Sequence, residues 1–127
     1  MLLQGVGVSP GRAAGPVVLV AEAVPEPPNG PPSADPPAEA ARIGPAAERV
    51  AAALTERAGA AEGTARQVLE TTAMMAADPA LRTEAERLVG AKSLPAARAV
   101  YEAANGFAAT LRAAGGYLAE RARDVYD

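Results

Sequence analysis

Seven prolines fall within thirteen consecutive residues, 25–37, and no regular helix or central strand can run through such a stretch. Each proline lacks a backbone N–H, holds φ at about −65° and pushes the residue before it toward extended conformations. The tract has no aliphatic side chain larger than Ala34 and adds little to a core. It reads as a stiff, extended linker with polyproline character, separating an arm (1–24) from a body (38–127).

The arm holds six of the eleven valines: Val6, Val8, Val17, Val18, Val20 and Val24. Val6 and Val8 alternate with small residues, and Val17-Val18-Leu19-Val20 forms a second apolar run, so both predict short strands. Pro10-Gly11 marks a turn between them. Two short strands are not stable alone, which predicts that this arm pairs with something else.

The body is helical in pattern. Alanine supplies 34 of the 63 apolar residues of the chain, which favours helix strongly but fills a core poorly, because alanine buries little area. A first helix is expected from about Glu39 or Pro45 to Gly59, with Ala47, Val50, Leu54 and Ala58 on one face. A second covers about 62–77. Asp78-Pro79 predicts an N-cap and first helical residue for a third, with Gly90 as its stop. Ser93-Leu94-Pro95 predicts the start of a fourth, interrupted at Gly115-Gly116, after which Tyr117, Leu118, Arg121, Ala122 and Val125 continue a helical spacing. Short connections favour antiparallel neighbours. The expected fold class is therefore all-α, a small antiparallel helical bundle preceded by a β-strand arm and a proline-rich linker. The absence of a helical stop at the C-terminus predicts a longer parent chain.

Composition excludes much chemistry. With no cysteine and no histidine, there is no thiolate nucleophile, imidazole base, disulfide or Cys/His metal cluster, and Ser9 has no histidine to activate it. Gly5, Gly7, Gly11 and Gly15 do not form a phosphate-binding loop. The carboxylates Glu70 and Asp78, or Glu84 and Glu86, read as solvated helix charges rather than catalytic pairs. A net charge of −3 from mixed residues argues against nucleic acid, and no apolar run is long enough for a membrane span. A soluble, cytoplasmic protein is expected. The Met74-Met75 pair suits either core filling or a partner surface; at 100° per residue one should point inward and the other outward.

Three stretches carry a resemblance. Gly5-Val6-Gly7-Val8-Ser9-Pro10-Gly11-Arg12-Ala13-Ala14-Gly15, Val68 to Leu81 with Met74-Met75 and Asp78-Pro79, and Tyr117-Leu118-Ala119-Glu120-Arg121-Ala122-Arg123-Asp124-Val125-Tyr126-Asp127 together resemble the amino-terminal region of Enzyme I. That family is the phosphoenolpyruvate-protein phosphotransferase of the bacterial sugar phosphotransferase system. The resemblance implies that the arm belongs to an α/β phosphohistidine domain outside this chain, and that the helices dock the phosphocarrier protein HPr. It implies a partner-binding surface of Leu69, Thr72, Met75, Asp78 and Leu81, with Glu62 and Glu70 as an acidic rim. Thr72 stands where the family usually has a histidine, and Pro79-Ala80 where some members have an acidic pair, which implies weaker electrostatic attraction. No catalytic residue, cofactor site or metal site is expected in this chain; the parent would be the enzyme, with magnesium, and a homodimer through other regions, whereas this chain alone would be a monomer that binds without catalysing. The alternative is a standalone helical interaction or regulatory domain diverged from Enzyme I.

Overall fold

The computed structural model describes residues 4, 6, 10–12, 14–20 and 22–116. Within them are five helices: α1 Pro36–Ala41, α2 Ile43–Gly59, α3 Gly63–Ala76, α4 Pro79–Lys92 and α5 Ala96–Ala114. Helices α2 and α3 form one hairpin, α4 and α5 a second, and α1 lies against α4 between them.

The local reasons for these boundaries can be read residue by residue. Asp35 caps α1 by accepting from the Ala38 N–H at 3.1 Å, and Pro36 and Pro37 occupy the first turn, where a missing N–H costs nothing. The helical body thus begins inside the proline tract. Arg42 joins α1 to α2, and Pro45 falls in the first turn of α2, again where no donor is required. Gly63 reverses the chain into α3 at φ +57°, a conformation that strains any residue with a Cβ. Asp78 caps α4 by accepting from the Ala80 N–H at 2.8 Å, with Pro79 following it, as the Asp-Pro pair predicts.

Two expected boundaries are corrected. Helix α4 does not stop at Gly90 but runs through it to Lys92, ending where Ser93 adopts a left-handed conformation at φ 52°. A helical glycine costs only about 1 kcal/mol, whereas Pro95, two residues beyond Ser93, disfavours continuation by about 3 kcal/mol or more. Ser93 is consequently the end of α4 and not a cap for α5. No side chain of its own segment caps α5; the carboxylate of Glu39, from α1, accepts the Ala96 N–H at 2.7 Å instead.

The expected strands of the arm find no support. Among the described residues there is no strand, and Val6 and Val17, Val18, Leu19 and Val20 are exposed, while Val8 lies outside the described residues. A strand is stabilised by a paired neighbour, and no segment of this helical body offers one.

The core is narrow. Among the described residues ten apolar ones are buried, seven of them alanines, and Val89 is the largest side chain that is fully buried. Ala85, Leu88 and Val89 of α4 meet Ala99 and Ala103 of α5, and Ile43 closes the cluster from α2. Alanine at these positions lets the α4 and α5 backbones approach closely, so there is no room for larger residues. Ala99→Leu should destabilise the protein by about 1–3 kcal/mol through overpacking, read as a lower urea midpoint; Leu88→Ala should cost about 2–5 kcal/mol through the cavity it leaves. An unchanged midpoint for Ala99→Leu would contradict this seam.

Candidate functional site

The two hairpins are packed on Ala-rich seams internally but diverge from each other, leaving an apolar cleft of roughly 820 Å³ between them. Its walls come from all five helices, with Ala41 at the end of α1, Ala47, Val50 and Leu54 of α2, Thr72, Met75 and Ala76 of α3, Leu81 and Ala85 of α4, and Ala97, Val100 and Ala104 of α5. The heptad-like stripe Ala47, Val50, Leu54 looks into this cleft, which is why Val50 stays 51% exposed.

Of the seven residues expected on a partner surface, the structure brings three together. Thr72, Met75 and Leu81 line the cleft and are half-buried. Leu69 is half-buried on α3 but does not line the cleft. Asp78 is exposed, with its carboxylate engaged as the α4 cap. Glu70 is exposed and accepts from Arg66 Nε at 2.8 Å, one turn earlier. Glu62 sits at the N-cap position of α3 without making a side-chain capping bond, exposed and away from the cleft lining. The two methionines diverge as their 100° spacing requires: Met75 turns into the cleft, and Met74 is 68% exposed.

The charged groups at the cleft differ from the expected acidic rim. Arg42, Arg49 and Arg82 line it. Two of these are neutralised locally, Arg42 by Glu39 at 2.9 Å and Arg82 by Glu86 at 2.7 Å. The Glu86 hydrogen bond and charge, with a further contribution from Glu48, raise the Arg82 guanidinium above its ordinary value. The guanidinium of Arg82 also lies over Gly44, where a Cβ would come within 2.6 Å of Cζ, so glycine there allows α4 to reach across the first turn of α2. A signal for these arginines was present in the sequence, since Arg42, Ala46, Arg49 and Val50 share one helical face.

A shallower depression lies on the other side of α4, formed by Pro79, Ala80, Thr83 and Glu84 with Glu102, Gly106 and Phe107 of α5. Glu84 is held below the ordinary carboxylate range, first by hydrogen bonding to Arg87; Glu102 is held below it first by Arg98. Phe107, 37% exposed, reaches solvent at this edge.

With this geometry established, comparison with known proteins is informative. The profile of the family described as PEP-utilising enzyme, N-terminal, matches residues 4–121. The chain belongs to that family. Its helices are thus those of the N-terminal region of a PEP-utilising enzyme of the Enzyme I kind. The chain is 46% identical over 126 residues to the phosphoenolpyruvate-protein phosphotransferase of Streptomyces coelicolor. The match covers 98% of this chain and 22% of that relative, so the chain spans about a fifth of the relative's length. No solved structure matches it significantly. Among the described residues no helix is long and apolar enough to cross a membrane.

Glu39 links this site to the core, and its titration can be followed. The Ala96 N–H and then Arg42 hold its carboxyl below the ordinary value of 4.5. A depressed carboxylate stabilises the fold above its unfolded value and loses that contribution as pH falls through its folded value. The melting midpoint of the wild type should therefore exceed that of Glu39→Gln above pH 4.5, and the gap should close as pH is lowered further. A gap independent of pH in circular-dichroism melts would contradict the Glu39–Ala96 bond.

Proposed function

We propose that this chain is the HPr-docking part of a cytoplasmic phosphoenolpyruvate-protein phosphotransferase. The longer protein passes phosphate from phosphoenolpyruvate through a histidine to HPr in sugar uptake. The observation that supports it is the cleft wall of Thr72, Met75 and Leu81 in a chain of this family: half-buried side chains that face a solvent-open cleft, with Leu81 also resting against the core. An apolar centre that sheds water, surrounded by charges that orient the partner, is what a transient docking surface requires.

The chain contains no histidine. It therefore supplies the docking surface and its orientation, while the phosphorylated histidine belongs to another part of the protein. Proton transfer and phosphoryl transfer are not assigned to any side chain here. Magnesium belongs to the longer protein in this reading. The homodimer contacts of the intact enzyme are likewise assigned to regions beyond this stretch.

Within the cleft wall, Met75 is suited to a partner's irregular apolar side chain because its thioether stem changes rotamer at little cost. Leu81 fixes the position of that contact from α4, one turn after the Asp78 cap. Thr72 contributes a methyl group to the wall, since its hydroxyl is donated to the Val68 carbonyl at 2.8 Å. Glu62, at the N-cap of α3, and Glu70, paired with Arg66 on the Met74 side of the helix, lie outside the cleft wall and act as a distant acidic fringe for basic groups of HPr.

The test is a titration of the ¹⁵N-labelled chain with HPr from the same organism. Amide shifts should cluster on 69–82, and Leu81→Asp should weaken binding by about tenfold or more, as for a central contact residue. Met74→Ala, on the opposite side of α3, should leave the affinity nearly unchanged. Shifts absent at millimolar HPr, or an affinity indifferent to Leu81→Asp, would overturn this reading.

A further inference from the structure

The proline tract does not behave as a spacer. Three contacts bring it and α1 to one corner of the bundle, where α4 ends and α5 begins. Arg98 Nη1 donates to Glu26 Oε1 at 2.6 Å and to the Pro27 carbonyl at 3.2 Å. The Ser33 N–H donates to the Ser93 carbonyl at 2.7 Å. Glu39 accepts from Ala96 at 2.7 Å, six residues further along. Between the first two, Gly30 lies against Pro95, close enough that a Cβ would stand 3.4 Å from its ring.

We propose that residues 26–33 form a strap latched to the start of α5 by Arg98, and that this strap can be released while the helices remain folded. Proline supplies the stiffness: a segment whose φ angles are already restricted loses little entropy when laid against a surface, so a few contacts suffice to hold it. Arg98 supplies the release. Its side chain is 17% exposed, and it also donates from Nε to Glu102 at 3.1 Å and stacks over the Tyr101 ring at 5.3 Å. When Glu26 leaves, the guanidinium keeps both of those neighbours and is not stranded without a counter-charge. Glu26, 58% exposed, returns to water at little cost. Both ends of the exchange are thus satisfied, which is the condition for a cheap local opening.

The consequence is mechanical. Residues before 26 leave the bundle from a fixed point beside α5 when the strap is latched, and from Asp35 at the start of α1 when it is not. Arg98 is a positioning residue for the arm and contributes nothing to the cleft, which it does not line.

The experiment uses the full ¹⁵N-labelled chain and reads heteronuclear NOEs and hydrogen exchange in the tract. In the wild type, Asn29, Gly30 and Ser33 should give NOEs close to those of α5 amides. In Glu26→Gln they should fall part of the way, and in Arg98→Met to the values of Val17–Leu19, with Ser33 exchanging about tenfold faster. The helical melting midpoint should not move in Glu26→Gln, and Arg98→Lys should retain part of the order. Glu26 lies outside every helix, so its variant tests the latch even if Arg98→Met perturbs α5. Wild-type NOEs already as low as those of Val17–Leu19 would overturn the latch, as would tract order unaffected by both variants. A melting midpoint that falls along with strap order in Glu26→Gln would overturn the independence of strap and helices.

Discussion

Close approach of α4 and α5 on alanine is the constraint on which the rest of this molecule depends. Ala85, Ala99 and Ala103 are essentially inaccessible, and only Leu88, Val89 and Ile43 add larger volume beside them. Such a seam gains stability from proximity and dispersion rather than from the area of big side chains. It forms with few large residues, and that releases the others. Val50, Leu54 and Met75 need not be swallowed by the core, Leu81 and Val100 pack against it only in part, and all five line an open cleft. A protein with the same helices and leucine at the seam positions would have to separate α4 from α5, and the cleft would change shape with them.

Charge in this protein acts mainly over short distances. Arg66 with Glu70, Arg82 with Glu86 and Arg87 with Glu84 are exposed pairs within single helices, each of modest effect. The contacts that join distant parts of the chain are different in kind: Glu39 reaches Ala96 across 57 residues, and Arg98 reaches Glu26 across 72. Both converge on the start of α5, a helix whose own segment offers no capping side chain and whose preceding residue is Pro95. The missing local cap and the long-range contacts are two sides of one solution. The orphan N–H of Ala96 must find an acceptor, and α1 is placed to provide it.

Much of this was legible beforehand because it rests on local chemistry. Asp78-Pro79 announces α4, the faces of α2 and α3 follow from their spacing, and the opposite fates of Met74 and Met75 follow from the helical turn. Gly90 misled because a glycine stop is a weak preference, and Pro95 supplies the stronger helix-breaking signal a few residues later. Ser93 looked like a cap for the next helix because sequence alone does not say which helix a residue closes. The docked tract was invisible for another reason: Arg98 and Glu26 carry no pattern linking them, and prolines advertise an extended chain without saying what it lies against. At the cleft, the apolar residues and the shared face of Arg42 and Arg49 were legible, whereas the arrival of Arg82 from α4 was not. Glu70 and Asp78 are acidic in the sequence, but Arg66 and the Ala80 N–H already engage them in the fold, while the arginines that do reach the cleft come from helices α2 and α4.

The central claim is that large apolar side chains face an open cleft because alanine has taken their place in the core, and that HPr uses that opening. It is tested most directly by labelling the methionine methyl groups and measuring their relaxation by a soluble nitroxide, with and without HPr. The account predicts strong relaxation at Met74, intermediate relaxation at Met75, and protection of Met75 alone when HPr is added. Protection of Met74 with Met75 unaffected, or a Met75 methyl as shielded as Val89 before any partner is present, would contradict it.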